Sequence, residues 1–370
     1  MRHSHVRQPG CDTILCITVA TLVLAGVVMV YSASAIYAME EFNDSYYFLK
    51  RQILWLAIGT VILLIAKNID YHQFHRYTYL IMVLSLALLL LILVPGLGKE
   101  VGGARRWLDL KFFTFQPSEL AKFAVVLFMA RSLVKRADKL KNFAYGFLPN
   151  LIVLGLFFIP ILFQPDFGTA MIIGVVAMTM LFIAGVRTKF LIYSGLAVIP
   201  FMVSAVLGAE YRTRRIMAFL DPWQDPTDAG FQAIQSFYAF GRGGYLGLGL
   251  GDSNQKLFYL PEAHTDFIYS VIGEELGFVG AIAVAVLFGI LIWRGFITAY
   301  RAKDPFGSNL AIGLTLLIGV QAFINMGVAV GLLPTKGLTL PFISLGGSSM
   351  VVCMLCMGVL LNISGQTVRR

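Results

Sequence analysis

Charge is scarce in this chain. Only 13% of its 370 residues are Asp, Glu, Lys or Arg, where soluble domains carry about 25%. Hydrophobic residues make up 58%, and mean hydropathy is +0.78. A water-soluble fold has no means of hiding that much apolar surface, so a polytopic membrane protein is expected. Cysteine is equally sparse: Cys11, Cys16, Cys353 and Cys356. The last two form a C-x-x-C in a strongly apolar stretch. A redox motif needs an accessible thiolate, so both read as packing residues. His72 and His75 have no third partner nearby, and a metal site is not expected. Repeats, low-complexity tracts and a soluble domain are lacking as well. No convincing A-x-A-like site follows the first apolar run, which therefore reads as a span and not a signal peptide.

What the chain does have is apolar runs of spanning length. They lie at 13–36, 51–66, 77–95, 117–133, 144–163, 166–185, 189–208, 266–293, 308–332 and 341–363. The expected fold is thus all-α, with ten transmembrane helices and both termini on one side. The net charge of +9 would suggest nucleic acid in a soluble protein; here its distribution explains it better. With the termini in the cytoplasm, that side gathers sixteen Lys and Arg against Asp12, Asp70, Asp138 and Asp304. This is the bias of cytoplasmic loops. The outer connections are then 37–50, 96–116, 164–165, 333–340 and the large periplasmic one, 209–265. A connection of that length usually carries function.

The stretch from Leu260 to Phe267 closes that connection and opens an apolar helix. Helical spacing from Asp266 puts Ser270, Gly273, Glu274 and Gly277 on one face, with Glu274 about 12 Å deeper. Polar groups in such a place line a cavity or a site, yet an acid at a helix start is also an ordinary cap. Both readings of Asp266 stand. Glu119 and Lys122, three apart on helix 4, are spaced for an ion pair, either functional or holding the bundle. Arg212, Arg214 and Arg215 lead into an amphipathic interfacial segment. Their forks suit diphosphate oxygens or lipid headgroups; Arg105 and Arg106 read the same way, and Arg51 can face the same cavity. The glycine-dense run 241–251 lacks the strand–turn–helix context of a dinucleotide site and reads as a flexible surface loop. Ser132 and Lys135 match S-x-x-K without its companion motifs, so penicillin-type acylation is not supported. Gly337 to Ser349 is rich in small residues, for which close helix packing is the default account.

Five stretches in order resemble one family: Gly103-Ala104-Arg105-Arg106-Trp107-Leu108-Asp109-Leu110; Gln116-Pro117-Ser118-Glu119-Leu120-Ala121-Lys122; Gln164-Pro165-Asp166-Phe167-Gly168-Thr169; Tyr259 to Phe267; and Leu333 to Pro341. Over residues 13–363 the chain resembles the shape, elongation, division and sporulation (SEDS) proteins, which are integral-membrane peptidoglycan glycosyltransferases. Asp221-Pro222-Trp223-Gln224-Asp225-Pro226, Ala239 to Gly243 and Pro334 to Gly337 are most similar to the cell-division member. One departure is Leu345, where the family pattern Ser-Tyr-Gly-Gly-Ser has tyrosine.

The resemblance implies a polymerase of lipid II at the outer face of the bacterial cytoplasmic (inner) membrane, working at the division septum. It joins the 4-hydroxyl of one N-acetylglucosamine to the anomeric carbon of another unit's N-acetylmuramic acid, releasing the lipid diphosphate. It places the essential aspartate on Asp266 and a buried acid–lysine pair on Glu119 and Lys122. Asp166, Glu262, His264 and Lys336, within the matched stretches, join the arginines as candidates for substrate binding. The implied partners are a class B penicillin-binding protein, other division-complex membrane proteins and membrane lipid, with no nucleic acid. No cofactor is implied, although a divalent cation assisting the diphosphate stays open. A lipid II flippase, or the elongation or sporulation member of the family, is the alternative; a flippase suits polar groups inside a helical bundle.

Overall fold

The computed structural model describes residues 11–94, 98–101, 104–109, 113–208, 210–228, 230–253 and 263–367. The chain begins with α1 (Thr13–Phe42), α2 (Tyr47–Asn68) and α3 (Tyr71–Leu91). Asp12 and Asp70 cap α1 and α3 through side-chain bonds to backbone N–H groups of the first turn. A small antiparallel sheet follows, β1 (Gly98–Val101), β2 (Ala104–Asp109) and β3 (Thr114–Phe115), in the order β1-β2-β3. The expectation of an all-α chain is corrected here. The connection 96–116 is too polar for lipid, and its strands satisfy one another's backbone groups instead.

Next come α4 (Pro117–Lys135), α5 (Leu148–Phe163), α6 (Phe167–Ile183) and α7 (Thr188–Leu207). The connection 209–265 contains two helices, α8 (Glu210–Leu220) and α9 (Phe231–Gly243). Then follow α10 (Ile268–Glu275), α11 (Gly277–Arg301), α12 (Pro305–Ala329) and α13 (Gly347–Gly365). The chain is thus mostly helical, and seven helices among the described residues are long and apolar enough to cross a membrane. Phe167–Ile183 and Thr188–Pro200 are shorter apolar helices. The α4 helix carries Glu119, Lys122 and Arg131, and its place in the bundle accounts for them: nearly all of it is buried. So are α12 and α13. The outer helices invert the soluble pattern. On α2, Leu54 and Val61 are exposed, and on α3, Leu80 and Val83, as suits surfaces solvated by lipid.

One end of the bundle is tied by its own polar set. Arg294 donates from Nε and Nη2 to Asp12 at 2.9 and 2.6 Å, joining α11 to α1. Tyr71 donates its backbone N–H to Asn362 at 2.9 Å and its hydroxyl to Asp304. Arg131 donates to the His75 carbonyl at 2.6 Å. The Asp12 N–H reaches Ser364 Oγ at 3.3 Å, so the described beginning and end of the chain share this end.

The expected single helix over 266–293 is corrected too. Asp266 lies in a turn, the N-cap position of α10 is Phe267, and no side chain caps it. The α10 helix stops at Glu275, and α11 starts afresh at Gly277. What fills the break is the glycine run, which is no loose loop. Leu248 and Gly249 donate to the Glu274 and Glu275 carbonyls, both at 3.0 Å, while Phe278 and Val279 donate to Gly244 and Tyr245 at 2.9 and 3.2 Å. Four of the groups that helix ends leave without intrahelical partners are thus met there by main chain. Gly247 and Gly277 have φ of +81° and +65°, where side chains are strained. A side chain at 247 would lie 2.1 Å from the Glu275 carbonyl oxygen.

Candidate functional site

The site forms at the opposite end, where the turn 263–267 meets the non-helical segment 333–346. Leu345 donates its N–H to the His264 carbonyl at 3.1 Å. Ser344 Oγ donates to the Thr265 carbonyl at 2.5 Å. Asn325, on α12, donates from Nδ2 to the carbonyls of Asp266 at 2.8 Å and Leu338 at 2.6 Å. Three successive carbonyls of the turn are therefore held, and the half-buried Asp266 is fixed through its backbone. Its carboxylate lies against Gly337, where a side chain would meet Oδ2 at 3.2 Å. The His264 ring packs against Phe48 and Tyr37, with ring centres 4.7 and 5.8 Å away. Lys336 Nζ stands 5.4 Å from the ring centre of Phe167.

Behind this turn sits the ion pair. Lys122 Nζ lies 2.9 Å from each carboxylate oxygen of Glu119 and donates to Gln321 Oε1 at 2.6 Å. Lys122 is 1% exposed and Glu119 5%. Burial of two charges is costly unless their remaining valences are met, and Gln321 meets one. Gln321 Nε2 in turn donates to the Thr339 carbonyl at 3.0 Å. Gln321 and Asn325 are i,i+4 on α12 and face the same way, and both grip the segment 338–339. The sequence-predicted pair and the sequence-predicted acid are thus linked through two amides. Those amides were missed in the sequence, although polar residues one turn apart in an apolar helix are a signal.

Other candidates have local partners. Asp166 caps α6 by accepting from the Thr169 N–H at 3.1 Å, and it accepts from Ser118 Oγ at 3.1 Å and Gln116 Nε2 at 3.2 Å. It is buried and joins the starts of α4 and α6. Arg106 donates to the Gln164 and Pro165 carbonyls at 3.2 and 2.6 Å, anchoring β2 to that corner. Arg105 pairs with Glu100 at 3.2 Å on the surface. Arg51 lies over the Tyr47 ring at 4.7 Å. Arg214 faces Asp228 at 3.4 Å, and Arg215 lines a crevice with Phe219, Phe237 and Thr335. Arg212 belongs to α8, and Glu262 lies outside the described residues. The contacts above place Arg105, Arg106 and Arg51 on partners of their own at this end of the molecule.

Two further polar groups, Glu275 and Gln52, were not singled out, and Glu274 was named only for the helix face it shares with Asp266. Glu275, fully buried, accepts from Ser32 Oγ at 2.7 Å on both oxygens. Glu274 accepts from Ser253. Gln52, buried on α2 one turn from Phe48, has neither amide atom hydrogen-bonded. Ser132 of the S-x-x-K match is buried, donating to Asn150 Oδ1 at 2.5 Å and accepting from Arg136. Cys353 and Cys356 are buried free thiols of α13. Among the described residues no three His, Cys, Asp or Glu side chains gather as a metal-binding group.

A buried helical bundle with apolar residues exposed on its outer helices defines a multi-pass membrane protein, and a polar turn is fixed at one of its ends. The model of the FtsW, RodA and SpoVE family, described as cell cycle proteins, matches residues 12–369, and the chain belongs to that family. It is 50% identical over 358 residues to the probable peptidoglycan glycosyltransferase FtsW of Geobacter sp. (strain M18), covering 97% of this chain and 98% of the relative. It is 43% identical to stage V sporulation protein E of Bacillus subtilis (strain 168), with the same coverages. Among solved structures it is similar to a chain from a peptidoglycan synthase complex studied for the coordination of polymerization and crosslinking. There the TM-score is 0.79 at 30% identity, over 96% of this chain and 97% of that one. The rod shape determining protein RodA of Thermus thermophilus gives 0.69 at 26% identity, over 97% and 98%.

Proposed function

We propose that this protein is a peptidoglycan glycosyltransferase that polymerises lipid II, with Asp266 as general base. The observation that carries the reading is the likeness to the Geobacter FtsW, half identical over 97% of the chain. The geometry supports it. A sugar hydroxyl is a poor nucleophile, and a carboxylate held in place takes its proton as the new bond forms. Asp266 is held by Asn325 through its own carbonyl. The 4-hydroxyl oxygen attacks the anomeric carbon, the glycosidic bond forms, and the bond to undecaprenyl diphosphate breaks with its electrons on phosphate oxygen. Cations at this end, Lys336, Arg214 and Arg215 among them, meet that charge. The polyprenyl tail stays in lipid, which requires a site at the membrane boundary.

Counting α10 and α11 as one broken crossing, we read ten crossings, with the end that holds Asp12 in the cytoplasm and Asp266 outside. On this reading a class B penicillin-binding protein works beside the polymerase, other division proteins surround it, and it acts at the septum of the inner membrane. The chemistry as written uses no cofactor, and a divalent cation is a component to vary. The deciding experiment gives lipid II to the purified protein, with and without its penicillin-binding partner, and reads glycan chain length. Chains are expected. Translocation of lipid II across vesicles without chains would establish a flippase instead.

A further inference from the structure

The end of the bundle opposite Asp266 carries a groove that the polymerase chemistry does not use. It is a shallow, open depression of about 490 Å³ between the α4–α5 and α6–α7 connections. Asp138, Lys141, Asn142, Phe143, Arg187 and Phe190 line it. Its shape begins with a five-residue π turn, Phe143–Phe147, opened by Asn142, whose Oδ1 accepts from the N–H groups of Ala144 at 2.9 Å and Tyr145 at 3.3 Å. Such turns are rare and frequent at functional sites. This one sets Phe143 against Phe190, ring centres 5.4 Å apart, so two separate connections close on one another.

Charge is concentrated there. Residues 135–147 and 184–190 contain Lys135, Arg136, Lys139, Lys141, Arg187 and Lys189 against a single acid, Asp138. Apolar groups stand among the cations: Lys139 lies over the Tyr145 ring at 5.8 Å, and Tyr145 is 66% exposed. Next to the groove, Phe182 and Ile183 at the end of α6 are exposed as well. A basic loop in water alone has no use for uncovered aromatic and aliphatic side chains. Phe182 and Ile183, at the end of a membrane helix, already face lipid, so a lipid headgroup reaches the cations from the surface that covers them, whereas an acidic protein segment would have to arrive from the water side.

We propose that this groove binds an anionic glycerophospholipid with a hydroxylated headgroup, the phosphate between Lys141 and Arg187 and the acyl chains over Phe182 and Ile183. A guanidinium fork and an ammonium suit a phosphodiester. Asp138 in the same lining accepts from headgroup hydroxyls, which selects phosphatidylglycerol over a headgroup without donors. The proposal goes beyond the polymerase reading and does not depend on it.

The test uses the full chain in a nonionic detergent, titrated with phosphatidylglycerol or phosphatidylcholine, with bound lipid counted by native mass spectrometry. At least one phosphatidylglycerol is expected to stay bound, with a preference of about tenfold or more. Lys141→Gln with Arg187→Gln removes that preference by about tenfold, in keeping with the pull of single basic residues at a lipid surface. Arg301→Gln with Lys303→Gln, at the same end and outside the groove, leaves it unchanged. The single exposed change Lys141→Glu weakens it too, which covers poor folding of the double variant. Equal retention of the two lipids would overturn the proposal. So would equal losses in the two double variants, which would mean diffuse charge, or binding of an acidic peptide without retention of phosphatidylglycerol.

Discussion

Asn325 holds Asp266 by the main chain: its Nδ2 lies 2.8 Å from the Asp266 carbonyl oxygen and 2.6 Å from that of Leu338. One side chain thereby fixes the distance between the proposed base and the segment that faces it. Asn325→Ala leaves both carbonyls without that donor, at about 1–3 kcal/mol for each buried group. Asn325→Asp is expected to be worse, since it sets an acceptor against two acceptors. Thermal unfolding ranks them, and lipid II polymerisation should fall in the same order.

Asp266→Asn keeps the shape of the turn and removes the proton acceptor. Membrane insertion and partner binding are expected to be normal, with polymerisation reduced by about 10²-fold or more. Near-normal chain synthesis by folded variant would remove Asp266 from the chemistry.

The pair on α4 makes a different prediction. Lys122→Met leaves Glu119 charged, buried and without its cation, a loss of about 3–5 kcal/mol. Adding Glu119→Gln is expected to restore much of the folding, because no buried charge is then left over. Unfolding midpoints of the two single variants and the double variant give the interaction directly; simple additivity would mean that the two residues do not interact.

The glycine run supplies a contrast within a few residues. Gly247→Ala forces a side chain to 2.1 Å from the Glu275 carbonyl oxygen, at a φ of +81°, and is expected to prevent stable folding. Gly241→Ala meets no atom within 4 Å and should be silent. Expression level and monodispersity of the two variants decide it.

Sidedness is open to labelling. A cysteine in place of Asp228 should react with an impermeant thiol reagent from outside, and one in place of Asp138 should not. The reverse pattern would move Asp266 to the cytoplasm and end the polymerase reading.

Much of this was legible in the sequence because apolar length is a local property. The runs at 13–36 and 308–332 became α1 and α12 with their ends shifted by a few residues. Glu119 and Lys122 met because a helix sets i,i+3 neighbours side by side. What was hidden depended on distant main chain. Nothing near Asp266 announces that Asn325 and Ser344 take its turn out of the helix, or that residues 244–249 end α10 at Glu275. The glycines at 241–251 read as looseness, since their partners are backbone atoms some 30 residues on. For Arg106 the sequence shows charge and not direction, and its hold on the 164–165 corner was not legible there.

The segment 333–346 also sets an order of assembly. It is irregular backbone deep in a membrane protein, and irregular backbone is tolerated there only when protein, not lipid, surrounds it. Its carbonyls at Leu338 and Thr339 rest on Asn325 and Gln321, and Gly26 of α1 leaves room for it, since a side chain there would lie 2.5 Å from the Phe342 carbonyl oxygen. The segment therefore has no stable seat until α1 and α12, made some 300 residues apart, have come together. During synthesis the seat of Asp266 thus waits on residues made about 70 positions after it.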